Sequence, residues 1–253
     1  MDELLDFSGQ VALITGAGSG FGRLLTLGLL KRGAQLVIGD IDEVGFAQTL
    51  EQAGELATRA ISQHCDVANE QDCAAMVDSA IQHFGRVDIA VNNAGVAHEL
   101  SPLHLLTAQT MDRQWDINVK GVLFGMKYQV AAMLAQGSGH ILNVSSMAGI
   151  GGAPKGGAYA AAKHAVVGLT KTAGVEYARK GLRCNAICPF YSPTAILKGH
   201  DSAESQAQLA RGTPIKRLAT PQEIVNTMLL MLSPGNTYMN GQTIAVDGGV
   251  SAW

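Results

Sequence analysis

The chain has 253 residues, of which 47% are hydrophobic and only 15% are charged, and its formal net charge at pH 7 is -3. This length and apolar content suit a globular chain with a sizeable core and exclude intrinsic disorder. With a slightly negative net charge, the chain lacks the excess of positive charge that is typical of proteins that bind nucleic acid or an acidic membrane surface. The low charged fraction also suggests that some surface is buried between subunits.

Short apolar runs alternate with helical patterns along the chain. Most of the apolar runs are continuous rather than alternating, which is typical of strands that are buried on both faces of a parallel sheet. The pattern predicts an α/β fold, a Rossmann-type, doubly wound, seven-stranded parallel sheet flanked by helices. The predicted strands are 11–16, 35–40, 59–67, 87–95, 139–146, 182–189 and 242–249, and the predicted helices are about 20–33, 43–54, 70–84, 112–136, 158–180 and 221–232.

A single domain over residues 1–253 is the simplest organisation, because the sequence contains no Pro- or Ser-rich linker, repeat or low-complexity tract. The stretch from Phe190 to Thr220 has the weakest periodicity. Long irregular segments inside compact domains are often functional lids. We therefore predict a substrate loop at about 190–220.

The cysteines and the N-terminus indicate a reducing environment. The four cysteines form no CxxC pair and no zinc-like spacing with histidine, so they are interpreted as core thiols. The N-terminal segment is acidic and lacks an apolar stretch, and no apolar run approaches the length of a membrane span. We expect a cytoplasmic protein without a metal site.

A glycine-rich turn, "TGAGSGFG" at residues 15–22, follows the first predicted strand and opens the first predicted helix. Glycine lets a ligand approach the backbone closely, and the N–H groups at a helix N-terminus can hold a pyrophosphate. The second strand ends at Asp40, about where an acid accepts hydrogen bonds from an adenosine ribose. A carboxylate there would repel the extra phosphate of NADP, so the predicted cofactor is NAD. Alternatively, Asp40 is an ordinary strand-end or helix-cap carboxylate, a role that Asp42 could also supply.

Tyr159 and Lys163 lie four residues apart in "YAAAK", so a helix would place them on one face. A lysine beside a phenol favours the phenolate and would lower its pKa from about 10 toward the range of a general base. The alternative is an ordinary amphipathic helix with a half-buried tyrosine and a solvated lysine.

These motifs together resemble the short-chain dehydrogenase/reductase family, over nearly the whole chain from Gly9 to Gly249. The glycine-rich turn is similar to the family's TGxxxGxG, "CDV" and "NNAG" follow in the right order, and Ser146 precedes Tyr159 by the family's 13 residues. Ser145 competes with Ser146, but neighbours on a strand point to opposite faces, and the spacing selects Ser146. His164, beside Lys163, should point elsewhere on a helix.

The resemblance implies roles for individual residues. Tyr159 would exchange a proton with the substrate, Lys163 would lower the pKa of the phenol and bind the nicotinamide ribose, and Ser146 would donate a hydrogen bond to the substrate oxygen. The implied catalytic residues are Asn118, which would hold a water linking Lys163 to solvent, together with Ser146, Tyr159 and Lys163. The implied NAD-binding residues are Gly16, Ser19, Gly20, Phe21, Gly22, Asp40, Ile41, Asp66, Val67, Asn93, Ala94, Gly95, Tyr159, Lys163, Pro189 and Thr194.

One position departs from the family's pattern. The family usually has glycine after the proline that ends the sixth strand, whereas this chain has Phe190 in "CPFYSPT". A bulky ring would stand beside the nicotinamide pocket and alter its local backbone and its shape. The position therefore bears on the substrate rather than on the cofactor.

The predicted activity is NAD-dependent interconversion of a neutral secondary alcohol and its ketone. The expected pocket is apolar and lacks a fork-like arginine, and Lys155 and Lys198 are the nearby cations, interpreted as solvated. One alternative is a 3-oxoacyl-thioester reductase, which would normally prefer NADPH. Another is a catalytically silent NAD-binding redox sensor, which would not need a catalytic set. The resemblance further implies a homotetramer. The expected pocket lining is Val96, Met147, Ile150, Phe190, Tyr191, Ile196 and Leu197.

Overall fold

The computed structural model describes residues 3–194 and 202–252, and within them one sheet of seven parallel strands runs in the order β3-β2-β1-β4-β5-β6-β7. This confirms the predicted doubly wound sheet. The strands are β1 Val11–Thr15, β2 Gln35–Asp40, β3 Ala60–His64, β4 Ile89–Asn92, β5 Gly139–Val144, β6 Leu182–Pro189 and β7 Thr243–Val246.

The strand order reverses at β1, which pairs with β2 on one side and with β4 on the other. Ile14, for example, lies between Ile38 and Val91. Residues of β1 and β4 are all buried, because the sheet is covered on both faces. In open parallel sheets, ligands bind beyond the carboxyl ends of the strands at this reversal point. A ligand site is therefore expected among the segments that follow β1, β2, β4, β5 and β6.

Helices pack on both faces of the sheet. One apolar cluster joins α1 and α8 to the sheet through residues such as Leu25, Leu29 and Met228, and the other joins α3, α5 and α6 through residues such as Met76, Met126 and Val166. The helices are α1 Gly20–Leu30, α2 Glu43–Ala53, α3 Glu70–Phe84, α4 Ala108–Trp115, α5 Gly121–Gln136, α6 Gly157–Tyr177, α7 Ala203–Arg211 and α8 Pro221–Leu232.

Local sequence explains several helix ends. Thr220 and Glu223 form a capping box at the start of α8, where Pro221 occupies the first turn without needing an N–H donor. At the C-terminal end of α3, Gly85 adopts a φ of 79°, and this left-handed conformation ends the helix.

Two predicted elements differ in the structure. The helix predicted at 112–136 starts earlier, at Ala108, and is interrupted by a π-helical turn at Asp116–Lys120 between α4 and α5. The predicted loop at 190–220 contains α7, whose sequence "AESQAQLAR" is mostly polar. Such a helix lacks the apolar stripe that periodicity detects, which is why the sequence pattern missed it.

Among the residues that the structure describes, no helix is long and apolar enough to cross a membrane. The same residues contain no cluster of three or more His, Cys, Asp or Glu side chains that could hold a metal ion. All four cysteines are buried free thiols.

Candidate active site

The turn after β1 is shaped so that a ligand can lie against its backbone. Gly16 and Gly20 adopt φ values of 69° and 51°, which residues other than glycine rarely adopt. A methyl group on Gly22 would lie 2.0 Å from the Gly16 carbonyl oxygen. Ser19 stands at the N-cap of α1 without a side-chain cap bond, so it leaves the first N–H groups of the helix available to an anion.

Asn93 and Ala94 tie this turn to the end of β4. Their backbone N–H groups both donate to Thr15 Oγ1 at 3.1 Å, and Asn93 Nδ2 donates to the carbonyl oxygens of Thr15 at 2.9 Å and Gly16 at 3.1 Å. Both bonds of the Asn93 side-chain nitrogen thus go to backbone carbonyls at the start of the glycine-rich turn. Any influence of this side chain on a bound dinucleotide would pass through the shape of the turn.

Asp40 and Asp42 make different hydrogen bonds at the end of β2. Asp42 caps α2 by accepting from Gly45 N at 3.0 Å. Asp40 reaches back to the glycine-rich turn, where its Oδ2 accepts from Gly18 N at 2.7 Å, and its Oδ1 accepts from Asp42 N at 3.0 Å. Each Asp40 oxygen keeps a lone pair for a ligand hydroxyl.

Arg23 on α1 is a cation that bonds to the glycine-rich turn. Its guanidinium donates to the Gly18 carbonyl, to the Gly45 carbonyl at 3.1 Å and to Gln48 Oε1 at 3.1 Å, and its Nε donates to Thr49 Oγ1 at 3.1 Å. Arg23 is thus engaged with protein acceptors next to Asp40, an arrangement that sequence spacing did not reveal.

Ile41 follows the end of β2, and Asp66 follows the end of the neighbouring strand β3. Ile41 is exposed beside Asp40, and Asp66 is exposed with its Oδ1 accepting from Ala68 N at 3.0 Å. Val67 is buried against Gly121, where a methyl group would lie 2.8 Å from Val67 Cγ2. The exposed side chain of Ile41 offers an apolar surface to a flat ring, and the carboxylate of Asp66 offers an acceptor.

Tyr159 and Lys163 lie on one face of α6, with Lys163 Nζ 5.6 Å from the centre of the Tyr159 ring. The alternative of a solvated lysine is wrong, because Lys163 is only 3% exposed and its ammonium donates to the Val144 carbonyl oxygen at 2.8 Å. His164 is exposed, and its Nδ1 contacts the Ala160 carbonyl.

The expected lowering of the phenol pKa is wrong for the protein alone. Burial raises the pKa of Tyr159 to about 12, although the hydrogen bond from Ser146 opposes this. Burial also lowers the pKa of Lys163 to about 8. Burial penalises the charged form of each group, which is the phenolate of Tyr159 and the ammonium of Lys163.

The two serines after β5 face different partners. Ser145 Oγ donates to the Lys163 carbonyl oxygen at 2.9 Å, on the inner side of α6. Ser146 lies near enough to the Tyr159 side chain to lower the pKa of the phenol, and its Oγ accepts from Ala148 N at 3.1 Å. Only Ser146 is therefore next to the phenol.

Asn118 lies in the π-helical turn and is fully buried. Its Oδ1 accepts from Val96 N at 3.0 Å, and its Nδ2 donates to the Val96 carbonyl at 2.8 Å and to Gln114 Oε1 at 2.7 Å. A methyl group on Gly95 would lie 2.7 Å from Asn118 Oδ1 and 3.5 Å from Lys163 Nζ. Asn118 and Lys163 thus approach the same point beside Gly95.

The segment after β6 covers the glycine-rich turn. Phe190 N donates to the Val246 carbonyl at 3.0 Å, which continues the pairing of Pro189 with β7. A methyl group on Gly20 would lie 3.6 Å from Thr194 Cβ, so Thr194 faces the turn. The space between the glycine-rich turn, residues 15–22, and the segment after β6 is called the crevice below. Phe190 packs edge-on against Tyr191 with ring centres 4.7 Å apart. Ile196, Leu197 and Lys198, which the sequence analysis placed in or near the pocket, lie outside the described residues.

Tyr191 was predicted to line the pocket, whereas Cys188 and Ser192 of the same region were not predicted as site residues. Tyr191 and Cys188 both act electrostatically on Tyr159, and Cys188 also acts on Lys163. Ser192 is 4% exposed, and its Oγ has no partner among the described residues. Their position in the segment around Pro189 was the available signal, but the sequence does not show which side chains point inward.

The residues of this crevice fit a nicotinamide dinucleotide. A methyl group would meet protein atoms at 2.8 Å or less on Gly16, Gly18 and Gly22, so the backbone of this turn stays bare for a phosphate, and Asp40 retains acceptor capacity for ribose hydroxyls. In the segment after β6, the buried Ser192 hydroxyl has no partner among the described residues and could serve as a donor or an acceptor.

Two neighbouring cavities of about 330 Å³ each are formed by the segment between β4 and α4 and by α4 itself, and both are lined by His98, Glu99 and Thr110. The first is also lined by Arg113, an exposed cation that the sequence analysis did not weigh. Lys155 is exposed, as expected for a solvated loop lysine.

Comparison with known proteins links the chain to dehydrogenases and reductases. A family described as Enoyl-(Acyl carrier protein) reductase matches residues 16–251. Cis-4-hydroxycyclohexanecarboxylate dehydrogenase of Sinomonas cyclohexanicum is 39% identical over 97% of this chain and 98% of its own length. Cyclohexanol dehydrogenase of Acinetobacter sp. (strain SE19) is 36% identical over 96% of this chain and 95% of its own length.

Solved structures agree with the sequence relatives. The crystal structure of levodione reductase is 34% identical with a TM-score of 0.93 and covers 97% of this chain and 99% of that chain. A 3-ketoacyl-(acyl-carrier-protein) reductase from Brucella melitensis complexed with NADH is 32% identical with a TM-score of 0.91, covering 97% of this chain and 100% of that chain. A gluconate 5-dehydrogenase from Burkholderia cenocepacia J2315 in complex with NADP and tartrate is 31% identical with a TM-score of 0.91, covering 99% and 98%.

Proposed function

The chain belongs to the short-chain dehydrogenase/reductase family, and on that premise we propose that it is an NAD-dependent oxidoreductase that interconverts a secondary alcohol and its ketone. The observation that carries the proposal is the grouping of Ser146, Tyr159 and Lys163 beside the glycine-rich crevice. A protein that only binds the dinucleotide would need the crevice but not this group.

The bound nicotinamide would accept or donate the hydride, and the protein's residues would manage the proton. Because burial raises the pKa of Tyr159 to about 12, the phenol keeps its proton at neutral pH and would give it to the more basic alkoxide oxygen that forms when a ketone is reduced. Ser146 acts on the same phenol and would donate to the oxygen on which charge develops. In oxidation, the buried ammonium of Lys163 would favour the phenolate.

We propose a neutral alicyclic alcohol or ketone as the substrate. The apolar side chains of Ile150 and Tyr191 are partly exposed toward solvent in the segments that follow β5 and β6. The cyclohexanol dehydrogenase relative acts on a neutral ring alcohol, as its name says. The cyclohexanecarboxylate dehydrogenase relative acts on a charged ring alcohol, and Arg113 beside the cavity is a cation that could bind such an acid.

The substrate proposal predicts that kcat/KM for cyclohexanol exceeds that for cis-4-hydroxycyclohexanecarboxylate by at least about tenfold, which corresponds to about 1.4 kcal/mol. The reason is that a carboxylate would lose hydration against the apolar side chains of Ile150 and Tyr191, while the exposed Arg113 shares its cavity with the carboxylate of Glu99. NADH formation followed by absorbance measures both rates. As a control, Arg113→Met should leave cyclohexanol oxidation unchanged. An acid preferred tenfold, with that preference lost in Arg113→Met, would contradict the proposal.

A 3-oxoacyl-thioester reductase remains the second candidate, because the matching family is described as an acyl carrier protein reductase and a similar structure is a ketoacyl reductase. Reduction of acetoacetyl-CoA separates the two functions. A thioester reductase should reduce it faster than it reduces cyclohexanone, and with NADPH in preference to NADH.

NAD preference is proposed from Asp40, and the prediction uses a variant that keeps its shape. Asp40→Asn retains an oxygen for Gly18 N but removes the charge that would repel the extra phosphate of NADP. We expect the wild type to favour NAD over NADP by at least about tenfold in kcat/KM, and the variant to lose most of that ratio.

Asp42→Asn is the matched control for this measurement, because asparagine caps a helix as well as aspartate does. It removes a charge of the same sign two residues away and should leave the cofactor ratio unchanged. Equal use of NAD and NADP by the wild type would show that Asp40 serves only the turn.

We also propose a homotetramer. In support, Leu123 on α5 and Val175 on α6 are exposed on the outer side of the helical layer, and a second copy could cover them.

A further inference from the structure

His98, in the segment between β4 and α4, has one ring nitrogen that is buried and has no partner among the described residues, Nε2. The other ring nitrogen, Nδ1, lies 2.7 Å from the carbonyl oxygen of Glu99. A carbonyl oxygen can only accept, so this contact requires the proton on Nδ1, and in the neutral ring Nε2 is then an acceptor. A buried acceptor without a donor destabilises a protein by about 1–3 kcal/mol. A ligand or a water that donates to Nε2 would remove this cost.

The second of the two cavities that His98 lines suits a ring that carries a hydroxyl group. Its polar lining residues are His98, Glu99, Ser101 and Thr110, and its apolar ones are Leu100, Leu105 and Leu106. Among the described residues that line it there is no Lys or Arg, and the Glu99 carboxylate, like Nε2, can only accept. Two acceptors opposite an apolar wall favour a neutral donor over a carboxylate or a phosphate.

The segment that carries His98 begins beside Lys163. A methyl group on Gly95 would lie 3.5 Å from Lys163 Nζ, and Val96, the next residue, makes two hydrogen bonds to Asn118 at 2.8 and 3.0 Å. His98 follows Gly95 by three residues, so at most about 11 Å of chain separates them. The unpartnered nitrogen is therefore carried close to the group proposed to handle the proton.

The same segment ends on the first turn of α6, just before Tyr159. Ser101 pairs with Gly156, and a methyl group on Gly157 would lie 3.0 Å from Leu106 Cδ1. Both Ser101 and Leu106 line the second cavity. The wall of this cavity thus rests on the helix end that carries the phenol, two residues before it.

We propose that His98 determines substrate specificity by accepting, at Nε2, a hydrogen bond from a second hydroxyl group of the substrate. The preferred substrate is then a neutral ring diol: one hydroxyl reacts at Tyr159, while the other lies in the cavity and takes no part in the chemistry. This inference rests on the proposed function and narrows its substrate class.

The first test compares the isomers of cyclohexane-1,4-diol with the matching isomers of 4-methylcyclohexanol, in which a methyl group of similar size replaces the second hydroxyl. With NAD, kcat/KM per hydroxyl for the better diol should exceed that for its methyl counterpart by at least about tenfold, because the methyl group leaves the buried acceptor unpaired. A water that satisfies Nε2 instead would give no such preference.

Two substitutions assign this preference to Nε2. His98→Asn retains an amide near the Nδ1 position but places no atom at Nε2, so the diol preference should fall by at least about fivefold. His98→Gln extends an amide oxygen toward the Nε2 position and should restore most of the preference. Melting temperatures show that each variant is folded.

His104→Asn is the matched control. His104 is an exposed histidine of the same segment, in the short helix Leu103–Leu105, and it lines neither cavity. Its substitution should leave the diol preference unchanged. A preference below about tenfold in the wild type, or one that His98→Asn retains, would overturn the proposal.

The second test requires no turnover. In protein with isotope-labelled histidine, the NMR signal of Nε2 in His98 is identified by its loss in His98→Asn. With NADH present, which cannot oxidise an alcohol, the diol should move this signal and 4-methylcyclohexanol should not. An unmoved signal would overturn the proposal even if diols are oxidised. A moved signal in a protein that oxidises no alcohol would support the hydroxyl site and reject the dehydrogenase function instead.

Discussion

Tyr159→Phe is expected to lower kcat for alcohol oxidation and ketone reduction by about 10²–10⁴-fold, because it removes the proton carrier and keeps the ring. Burial raises the pKa of this phenol to about 12 and Ser146 opposes that shift, so Tyr159 carries its proton at neutral pH. Binding of NADH should stay within about twofold of the wild type, since the phosphate-binding turn is untouched. Steady-state rates and NADH fluorescence titration measure the two effects separately.

Tyr177→Phe is the control for this prediction. Tyr177 ends the same helix, and no hydrogen bond of its hydroxyl is found among the described residues, so its loss should change neither rate nor binding. Turnover of Tyr159→Phe within about threefold of the wild type would reject the proposed proton transfer. A parallel loss of NADH binding would mean that the variant had disturbed the crevice rather than the chemistry.

Gly22→Ala is expected to abolish dinucleotide binding and to destabilise the fold by at least about 2 kcal/mol. The added methyl group would lie 2.0 Å from the Gly16 carbonyl oxygen and 2.8 Å from Asn93 Nδ2, so the turn must move. The displaced Asn93 amide would also lose its bonds to the end of β1. Chemical denaturation and NADH titration provide the measurements.

Gly168→Ala is the matched substitution in α6. Apart from the neighbouring backbone of α6 itself, no described atom would lie within 4 Å of its new methyl group, and alanine favours a helix, so the variant should gain about 0.5–1 kcal/mol in stability. NADH affinity should not change. If Gly22→Ala bound NADH as well as Gly168→Ala does, the close packing of the glycine-rich turn would have no role in cofactor binding.

The sheet and the crevice could be predicted from local sequence because their signals are short-range. A strand that is buried on both faces needs a continuous apolar run, as in Val11–Thr15, and neighbouring segments do not change that need. The glycine-rich turn is similarly local, because a positive φ at Gly16 and Gly20 limits the residue type at those positions whatever surrounds them. The family follows from several such signals in one order, and the comparisons confirm it.

The chemical state of the candidate site was decided only by tertiary structure. Spacing places Tyr159 and Lys163 on one helix face, but the pKa of each depends on burial by β5, β6 and the segments around them, and that burial reversed the expected direction for the phenol. Tertiary contacts also decide the bond from Gly18 N to Asp40, which joins residues that are distant in sequence. The bond from Asn118 to Gln114 depends on the single extra backbone residue of the π-helical turn. Local patterns report which backbone conformations a segment prefers, whereas desolvation and hydrogen-bond partners are set when separate segments meet.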